Sequence, residues 1–444
     1  MDDLTAIQRP VLVAAFARAI RTGEAAVFVG AGLSKPAGYP DWGKLLTECR
    51  RTLGLEDDRN LRVDHVAIAQ YFVNNHAGNR VPLSDLILQT LDLPEPKPTR
   101  AHEILSRLQV SEVWTTNYDS LLEDALRANG RRVEVRENES QFMQASPSGR
   151  DVVVYKMHGS LRDGKFDSVD NLVIAKEDYE RYQWTHRGFA DTLTTRLREK
   201  TFLFLGYSFS DPNVDYILGH LGPVLEREAR ARRVHYTIMR RENSRLQLHR
   251  CRDLMRYGIQ TCLVDEYDAI PDILGDIESR HNRRNVFLSL PARDTRSADS
   301  PHILCRDLGY DLARRGFVVS VGGESAYAQH VSVRAEEGRK GSTRYVPDLR
   351  SSSLRPGIAI FIGNGRTSAT AELERDFENC LPDIVPIPVP ATGRTARALW
   401  TKVKKSGAWN GLGVPAERFD RLEHATDPES QVRAIIAIVE ALAD

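Results

Sequence analysis

The sequence predicts an α/β protein with a largely parallel sheet, followed by a second and smaller strand–helix–strand domain. Three observations carry this reading. Short runs of Val, Phe, Tyr, Leu and Ile alternate with helical patterns along most of the 444 residues. Each run ends in a polar or glycine-bearing loop. The same alternation restarts near Arg284, after the basic, polar stretch Ser279–Arg284. Strands that alternate with helices are joined by crossovers, and crossovers make parallel sheets.

In order, a helix is expected over Val11–Arg21, where apolar residues recur at helical spacing. Buried strands are expected at Ala25–Val29, Glu112–Thr115, Val152–Lys156, Thr201–Leu205 and Val234–Met239. The arginine-rich segment Glu226–Arg256 is interrupted by acidic residues and reads as a solvated helical surface. In the second domain, strands are expected at Asn285–Leu290, Phe317–Val321, Ile358–Ile362 and Ile384–Val389. A helix lies around Ile303–Arg315, and two helices end the chain. The domains are therefore residues 1–283 and 284–444.

Composition excludes several classes. Lys plus Arg and Asp plus Glu are 61 each, so no broad nucleic-acid surface is expected. No apolar run reaches the roughly 18 residues of a membrane span. The start, MDDLTAIQRP, lacks the basic and apolar regions of a secretory signal. None of the five cysteines forms a Cys-x-x-Cys pair, so no metal is expected. A cytoplasmic protein with reduced thiols is the simplest expectation.

Ligands of open α/β sheets bind outside the carboxyl ends of the strands, which directs attention to four loops. Gly30-Ala31-Gly32-Leu33-Ser34 is either a phosphate cradle or a tight turn. Gly38-Tyr39-Pro40-Asp41-Trp42 follows as a second turn. In Thr115-Thr116-Asn117-Tyr118-Asp119, Asp119 or Ser120 suits a helix cap. Asn117 lies too early for that role, and its amide suits ribose hydroxyls or a water. In Lys156-Met157-His158-Gly159-Ser160, the imidazole is either a general base or a satisfied histidine. Gly206-Tyr207-Ser208-Phe209-Ser210-Asp211 either closes over an adenosine or is a strand-to-helix turn capped by Asp211.

Taken together, GAGLS, PDW, TTNYD, MHGS and GYSFSD occur in an order and at separations that resemble the sirtuin-like domain. The likeness is to the branch found in bacterial anti-phage NADases, and it spans about residues 10–275. It implies a Rossmann-type domain that cleaves NAD⁺, with Asn117 and His158 as the catalytic pair. It implies that Gly30, Ala31, Gly32 and Ser34 hold the diphosphate, with Gly206, Ser208 and Asp211 near the adenosine. Asp41, Thr116 and Asp119 join them as cofactor-binding candidates. Protein-deacylating sirtuins carry a zinc module of paired Cys-x-x-Cys motifs, which this sequence lacks. NAD⁺ hydrolysis is therefore favoured over deacylation, with a non-catalytic NAD⁺ or ADP-ribose sensor as the alternative.

NVFLSL, FVVSVGG, IAIFIGNG, the acidic helix with Glu372, Glu374 and Asp376, and PIPVPATG resemble a SLOG-type Rossmann domain. In the Thoeris defence effector, a similar domain follows the sirtuin-like one. That order implies binding of a cyclic ADP-ribose-type signal made by a TIR-domain protein, and a homo-oligomer, with a tetramer as the first expectation. A HerA-type ATPase or a phage protein is the alternative trigger. Gly322, Gly323 and Gly363 are strand-end glycines suited to phosphates. Arg339, Arg344 and Arg366 suit pairing with them, and Glu374 suits a ribose hydroxyl. The hydrolase pattern PGGxGTxxE is not intact here, which favours a sensor over a second enzyme.

Overall fold

The computed structural model describes residues 6–55, 64–142, 149–162, 165–166, 172–227, 233–242, 244–290, 300–321, 326–339, 343–345, 356–363, 384–410 and 412–443. The chain forms two compact units, Met1–Ile277 and Glu278–Asp444. The division falls a few residues before the one expected at 283/284, within the helix Ile270–Asn282. The end of that helix is tied to the second unit. Asn282 O accepts from Gly357 N at 2.9 Å, and the Arg283 guanidinium donates to Leu442 O at 3.3 Å.

The first unit carries β1 (Ala6–Ile7), β2 (Ala25–Val29), β3 (Glu112–Thr115), β4 (Val133–Arg136) and β5 (Val152–Lys156). A small antiparallel hairpin follows, β6 (Leu161–Arg162) and β7 (Lys165–Phe166). Then come β8 (Thr201–Leu205), β9 (His235–Arg240) and β10 (Ile259–Val264). Eight of these strands form one sheet in the order β1-β10-β9-β8-β2-β3-β5-β4, parallel throughout. The central strands are buried on both faces, so they read as continuous apolar runs rather than alternating ones. Their faces still differ by period two. Ala25, Val27 and Val29 meet the helices Arg9–Arg21, Arg100–Arg107 and Ile270–Asn282. Ala26, Phe28, Trp114, Tyr155, Phe202 and Phe204 face the helices Lys176–Thr185, Arg187–Glu199 and Pro212–Arg227. That second face is aromatic, with Trp114 stacked on Tyr155 at 4.0 Å. Burying each such side chain stabilises by about 1.5–3 kcal/mol.

Several elements differ from expectation. The opening helix starts at Arg9, where Pro10 fits the first turn. Within the segment Glu226–Arg256, the strand expected at Val234–Met239 is β9, one residue later and between β8 and β10, so the helical surface is confined to flanking residues such as Arg245–Arg256. Strands β1, β4 and β10 were not anticipated. They are short, half-buried or rich in polar residues such as Gln260 and Thr261. Helices between Trp42 and Leu91 form a third cluster, in which Ile68, Phe72 and Ile87 pack with Tyr118 and Leu121. This cluster reaches the residues just after Asn117.

The second unit has β11 (Asn285–Ser289), β12 (Val318–Val321), β13 (Thr343–Tyr345), β14 (Ile358–Phe361) and β15 (Val385–Pro388). They form a parallel sheet, β13-β12-β11-β14-β15. This is the doubly wound order, with its reversal between β11 and β14. Three helices end the chain rather than two: Arg394–Ser406, Ala416–His424 and Pro428–Ala443.

In the first sheet, connections from β2 and β8 leave in opposite directions, so their carboxyl ends flank the crevice. The two loops there run in backbone contact. Gly30 N donates to Leu205 O and Gly32 N to Gly206 O, both at 2.9 Å. A Cβ on Gly30 would sit 2.5 Å from Gly206 O, and Gly206 itself has φ +61°. Gly206→Ala would add left-handed strain of about 1–3 kcal/mol to a backbone clash. The expected result is a lowered urea midpoint at unchanged m-value, whereas Gly219→Ala, inside the helix Pro212–Arg227 where a Cβ meets open space, raises the midpoint.

Candidate active site

Asn117 follows β3 directly, and its side chain turns back to the β2 loop. Its Nδ2 donates to Gly30 O at 3.2 Å and to Ser34 Oγ at 3.1 Å. A carbonyl oxygen only accepts, so the amide nitrogen must be the atom facing Gly30. The orientation is thereby fixed, with both amide hydrogens committed. Oδ1 is left buried with no partner among the described residues. An unpaired buried acceptor costs about 1–3 kcal/mol, so a donor is expected to meet it. The amide therefore presents an acceptor to the crevice, which is narrower than its sequence implied.

Asp119 lies beneath this contact. Its Oδ1 accepts from Leu121 N at 3.2 Å, the first N–H of the helix Leu121–Ala128, while the N-cap position itself is Ser120. Its carboxylate also accepts from the Ser34 hydroxyl. Burial raises the Asp119 pKa, while Lys156 opposes that rise. Ser34, Asn117 and Asp119 are thus one buried network, which the sequence reading of each loop by itself did not foresee. Tyr118 between them donates to Val173 O at 2.8 Å.

His158 follows β5 and is completely buried. Its Nε2 lies 3.0 Å from Asp211 Oδ2. The angle does not make a hydrogen bond, and both ring nitrogens have no hydrogen-bond partner among the described residues. Tyr179 meets the ring edge-on at 5.5 Å. Asp211 uses Oδ1 to cap the helix Pro212–Arg227, accepting from Asn213 N at 3.0 Å and Val214 N at 3.1 Å. It therefore caps the helix, one of the two readings the sequence offered, and also faces the histidine, which neither reading included. Ser160 Oγ, Tyr207 OH and Asn213 Nδ2 are also buried without partners among the described residues. These three were not singled out beforehand. Their signal was adjacency to MHGS and GYSFSD, which is legible only once the two loops are known to converge.

The remaining residues divide. Gly30, Ala31, Gly32 and Gly206 line the close approach of the β2 and β8 loops, and Phe209 in the latter holds φ +55°. Ser208 is exposed and bonds to Ser210. Thr116 is half-buried. Asp41 does not join the network. It caps the short helix Trp42–Leu45 through Lys44 N and pairs with Lys35.

In the second unit, Gly363 follows β14 with φ +91°, but its N–H donates to Thr392 Oγ1 at 2.8 Å. Arg339 ends the helix Ala326–Gly338 and lies 3.6 Å from where a Cβ on Gly316 would be. Gly316 precedes β12, so Arg339 stands at the amino edge of the sheet, away from the strand-end glycines. The helix carries the chain back along the sheet at about 1.5 Å per residue. Arg344 lies mid-strand in β13, opposite Ser320. Gly322, Gly323, Arg366 and Glu374 lie outside the described residues. So does the acidic segment around Glu372 and Asp376.

Polar groups buried at the ends of adjacent parallel strands, around a glycine-lined crevice, define a nucleotide-handling site of Rossmann type. The pattern of the SIR2-like domain matches residues 111–262. The chain is 32% identical to the NAD(+) hydrolase ThsA of Bacillus cereus, over 97% of each chain. It is 30% identical to the protein of that name from Enterococcus faecium, over 98% of this chain and 99% of that one. Defense-associated sirtuin 2 of Bacillus subtilis is 26% identical, over 59% of this chain and 26% of the other. The chain belongs to the ThsA family.

Two further histidines of the first unit, His102 and His186, are buried. Burial holds His102 and His186 down to about 4, and for His186 the neighbouring His158 adds to the effect. Both are neutral in the fold and titrate near 6.5 when unfolded. The unfolded chain binds the extra protons between those values, so stability is fully present above pH 6.5. It falls as pH drops towards 4, by on the order of 3 kcal/mol per histidine. His102→Gln is expected to flatten the fall in urea midpoint between pH 6.5 and 4.5.

Proposed function

We propose that the chain hydrolyses NAD⁺ to nicotinamide and ADP-ribose, with Asn117 and His158 as its catalytic pair. The observation that carries this reading is the unpaired, buried Oδ1 of Asn117, held beside the glycine-lined crevice with its donors committed elsewhere. Its complement is a hydroxyl donor, either a ribose hydroxyl or water.

The bond from ribose C1′ to the pyridinium nitrogen breaks with both electrons going to nicotinamide, which leaves neutral. The transition state resembles an oxocarbenium ion and needs no strong nucleophile. Positioning and electrostatics supply most of what it requires. Asn117 Oδ1 accepts from the ribose or the water. The water oxygen bonds to C1′, and its proton passes to His158. Asp211, 3.0 Å from Nε2, stabilises the imidazolium that forms. The glycine approach of the β2 and β8 loops leaves room for a diphosphate close to the backbone. No cluster of three metal-ligating side chains occurs among the described residues, and this reaction does not call for one.

The biological setting that fits the family is anti-phage defence by NAD⁺ depletion. Uncontrolled turnover would be toxic, so the second unit is assigned the control. Its doubly wound sheet presents a strand-end crevice between β11 and β14. A cyclic ADP-ribose-type nucleotide from a TIR-domain protein is the proposed signal, acting on a homotetramer. A signal switches the enzyme only by binding the active arrangement better.

Nicotinamide release from NAD⁺ by the purified chain tests the activity. Asn117→Ala and His158→Ala are each expected to lose about 10²–10⁴-fold in rate. Full turnover in either variant removes that residue from the mechanism, and no nicotinamide at all points to a sensor that binds without cleaving. Adding cyclic ADP-ribose isomers is expected to raise the rate. Neither binding nor acceleration would shift the assignment to a protein trigger, such as a phage component or a HerA-type ATPase.

A further inference from the structure

Lys156 ends β5, two residues before His158, and is completely buried. In the sheet it pairs with Thr115, the last residue of β3. Its stem therefore runs under the loop that carries Asn117. The Nζ donates to Tyr118 O at 3.2 Å, to Glu123 Oε1 at 2.9 Å and to Asp119 O. An ammonium has three donors, and all three are used. Two of the acceptors are the backbone carbonyls directly after Asn117. The third, Glu123, lies in the first turn of the helix Leu121–Ala128.

A buried charge of this kind is a poor source of stability, because desolvation offsets most of its Coulombic gain. Its value lies in what it holds. From Lys156 the chain of contacts runs to the Asp119 backbone, from the Asp119 carboxylate to the Ser34 hydroxyl, and from Ser34 Oγ to Asn117 Nδ2. Each link fixes the direction of the next. Ser34 must donate to the carboxylate, so it accepts from Asn117, and the amide then turns Oδ1 into the crevice. Leucine or methionine could fill the space under the loop but could not hold two carbonyls.

We propose that Lys156 is a positioning residue for NAD⁺ cleavage: it clamps the loop after β3 and, through Asp119 and Ser34, sets the orientation of Asn117. The proposal rests on the assignment of Asn117 to the reaction. The Nζ partners of Lys156 are Tyr118, Asp119 and Glu123, so its effect on Asn117 is transmitted through the network.

The charged and titratable groups facing Asp119 are Lys156 from β5, Glu123 from its own helix, and Tyr39 from the turn before Trp42. His102 faces Glu123 from the helix Arg100–Arg107. Among these Lys156 is the group that opposes protonation of Asp119. Removing it lets the buried carboxyl take up a proton at higher pH. A protonated Asp119 no longer holds the Ser34 hydroxyl as an acceptor should, and Asn117 loses its fixed orientation.

The test compares NAD⁺ turnover by the full chain with Lys156→Met and Lys156→Met/Glu123→Gln, under conditions where wild type is active. The double variant removes the unpaired carboxylate that would otherwise unfold the single one. Melting temperature establishes that it is folded. The expected result is a kcat lowered about 100-fold, as for a misplacement of about 1 Å, with KM changed much less. The acid limb of the kcat profile is expected to move to higher pH. A folded double variant with wild-type kcat overturns the proposal. So does a uniform loss at every pH with the limb unmoved, which marks a merely structural role. Asn117→Ala is measured alongside. If it keeps full turnover, the catalytic assignment has failed. If it is inactive while the double variant keeps wild-type turnover, only the clamp has failed.

Discussion

Two loops leave adjacent parallel strands at the centre of the first sheet, and they run in backbone contact with one another. Everything in the site depends on that approach. Gly30 and Gly32 meet Gly206 where any Cβ would collide, and the hydrogen bonds from Gly30 N and Gly32 N hold the loops together. The contact fixes Gly30 O, and Gly30 O orients the Asn117 amide. It also sets where the β8 loop goes next, through Phe209 at φ +55° to Asp211 beside His158. One steric constraint therefore places both halves of the proposed catalytic pair. They come from β3 and β5, while their partners come from β2 and β8.

Much of this was legible in the sequence, for a physical reason. The central strands are buried on both faces, so they stand out as unbroken apolar runs. Ligands sit at the ends of such strands, so position marked Asn117, His158, Ser34 and Asp211 as candidates, and the family resemblance supplied the roles proposed for them. The edge strands β1 and β4, and the polar β10, lack that signature and escaped notice. The helices of residues 42–91 were missed for another reason. Their apolar face covers Tyr118 and Leu121 rather than the sheet, so nothing in the strand pattern announces them. Inside the arginine-rich stretch, β9 was still legible at Val234–Met239, because four consecutive buried residues precede Met239 and Arg240.

Lys156 illustrates the limit most clearly. In sequence it is the polar end of a strand, and such residues usually face water. Only the register of β5 against β3 shows that it lies beside Thr115, under the loop it holds. Register is a long-range property, set by pairing between segments roughly forty residues apart. Spacing along the chain carries no trace of it. The same holds for Asp211, which was read either as a cap or as a ligand contact. A carboxylate has two oxygens, and here each serves a different neighbour.

The two sheets obey one topological rule but differ in how their strand ends are used. At the first, Asn117 Oδ1, both nitrogens of His158, Ser160 Oγ and Tyr207 OH are buried without partners among the described residues. Such groups cost about 1–3 kcal/mol each; single ones also occur elsewhere, as at Thr261 Oγ1 and Ser320 Oγ, but here several are gathered at one set of strand ends. At the second, the Gly363 N–H is already bonded to Thr392, and Arg339 stands at the opposite edge of the sheet. The unmet groups of Asn117, His158, Ser160 and Tyr207 are gathered at the carboxyl ends of adjacent strands. That gathering is what the proposed NAD⁺ cleavage would draw on. It also explains why the clamp on Asn117 is buried so deeply. Unmet groups accelerate a reaction only if they cannot relax towards one another before the substrate arrives.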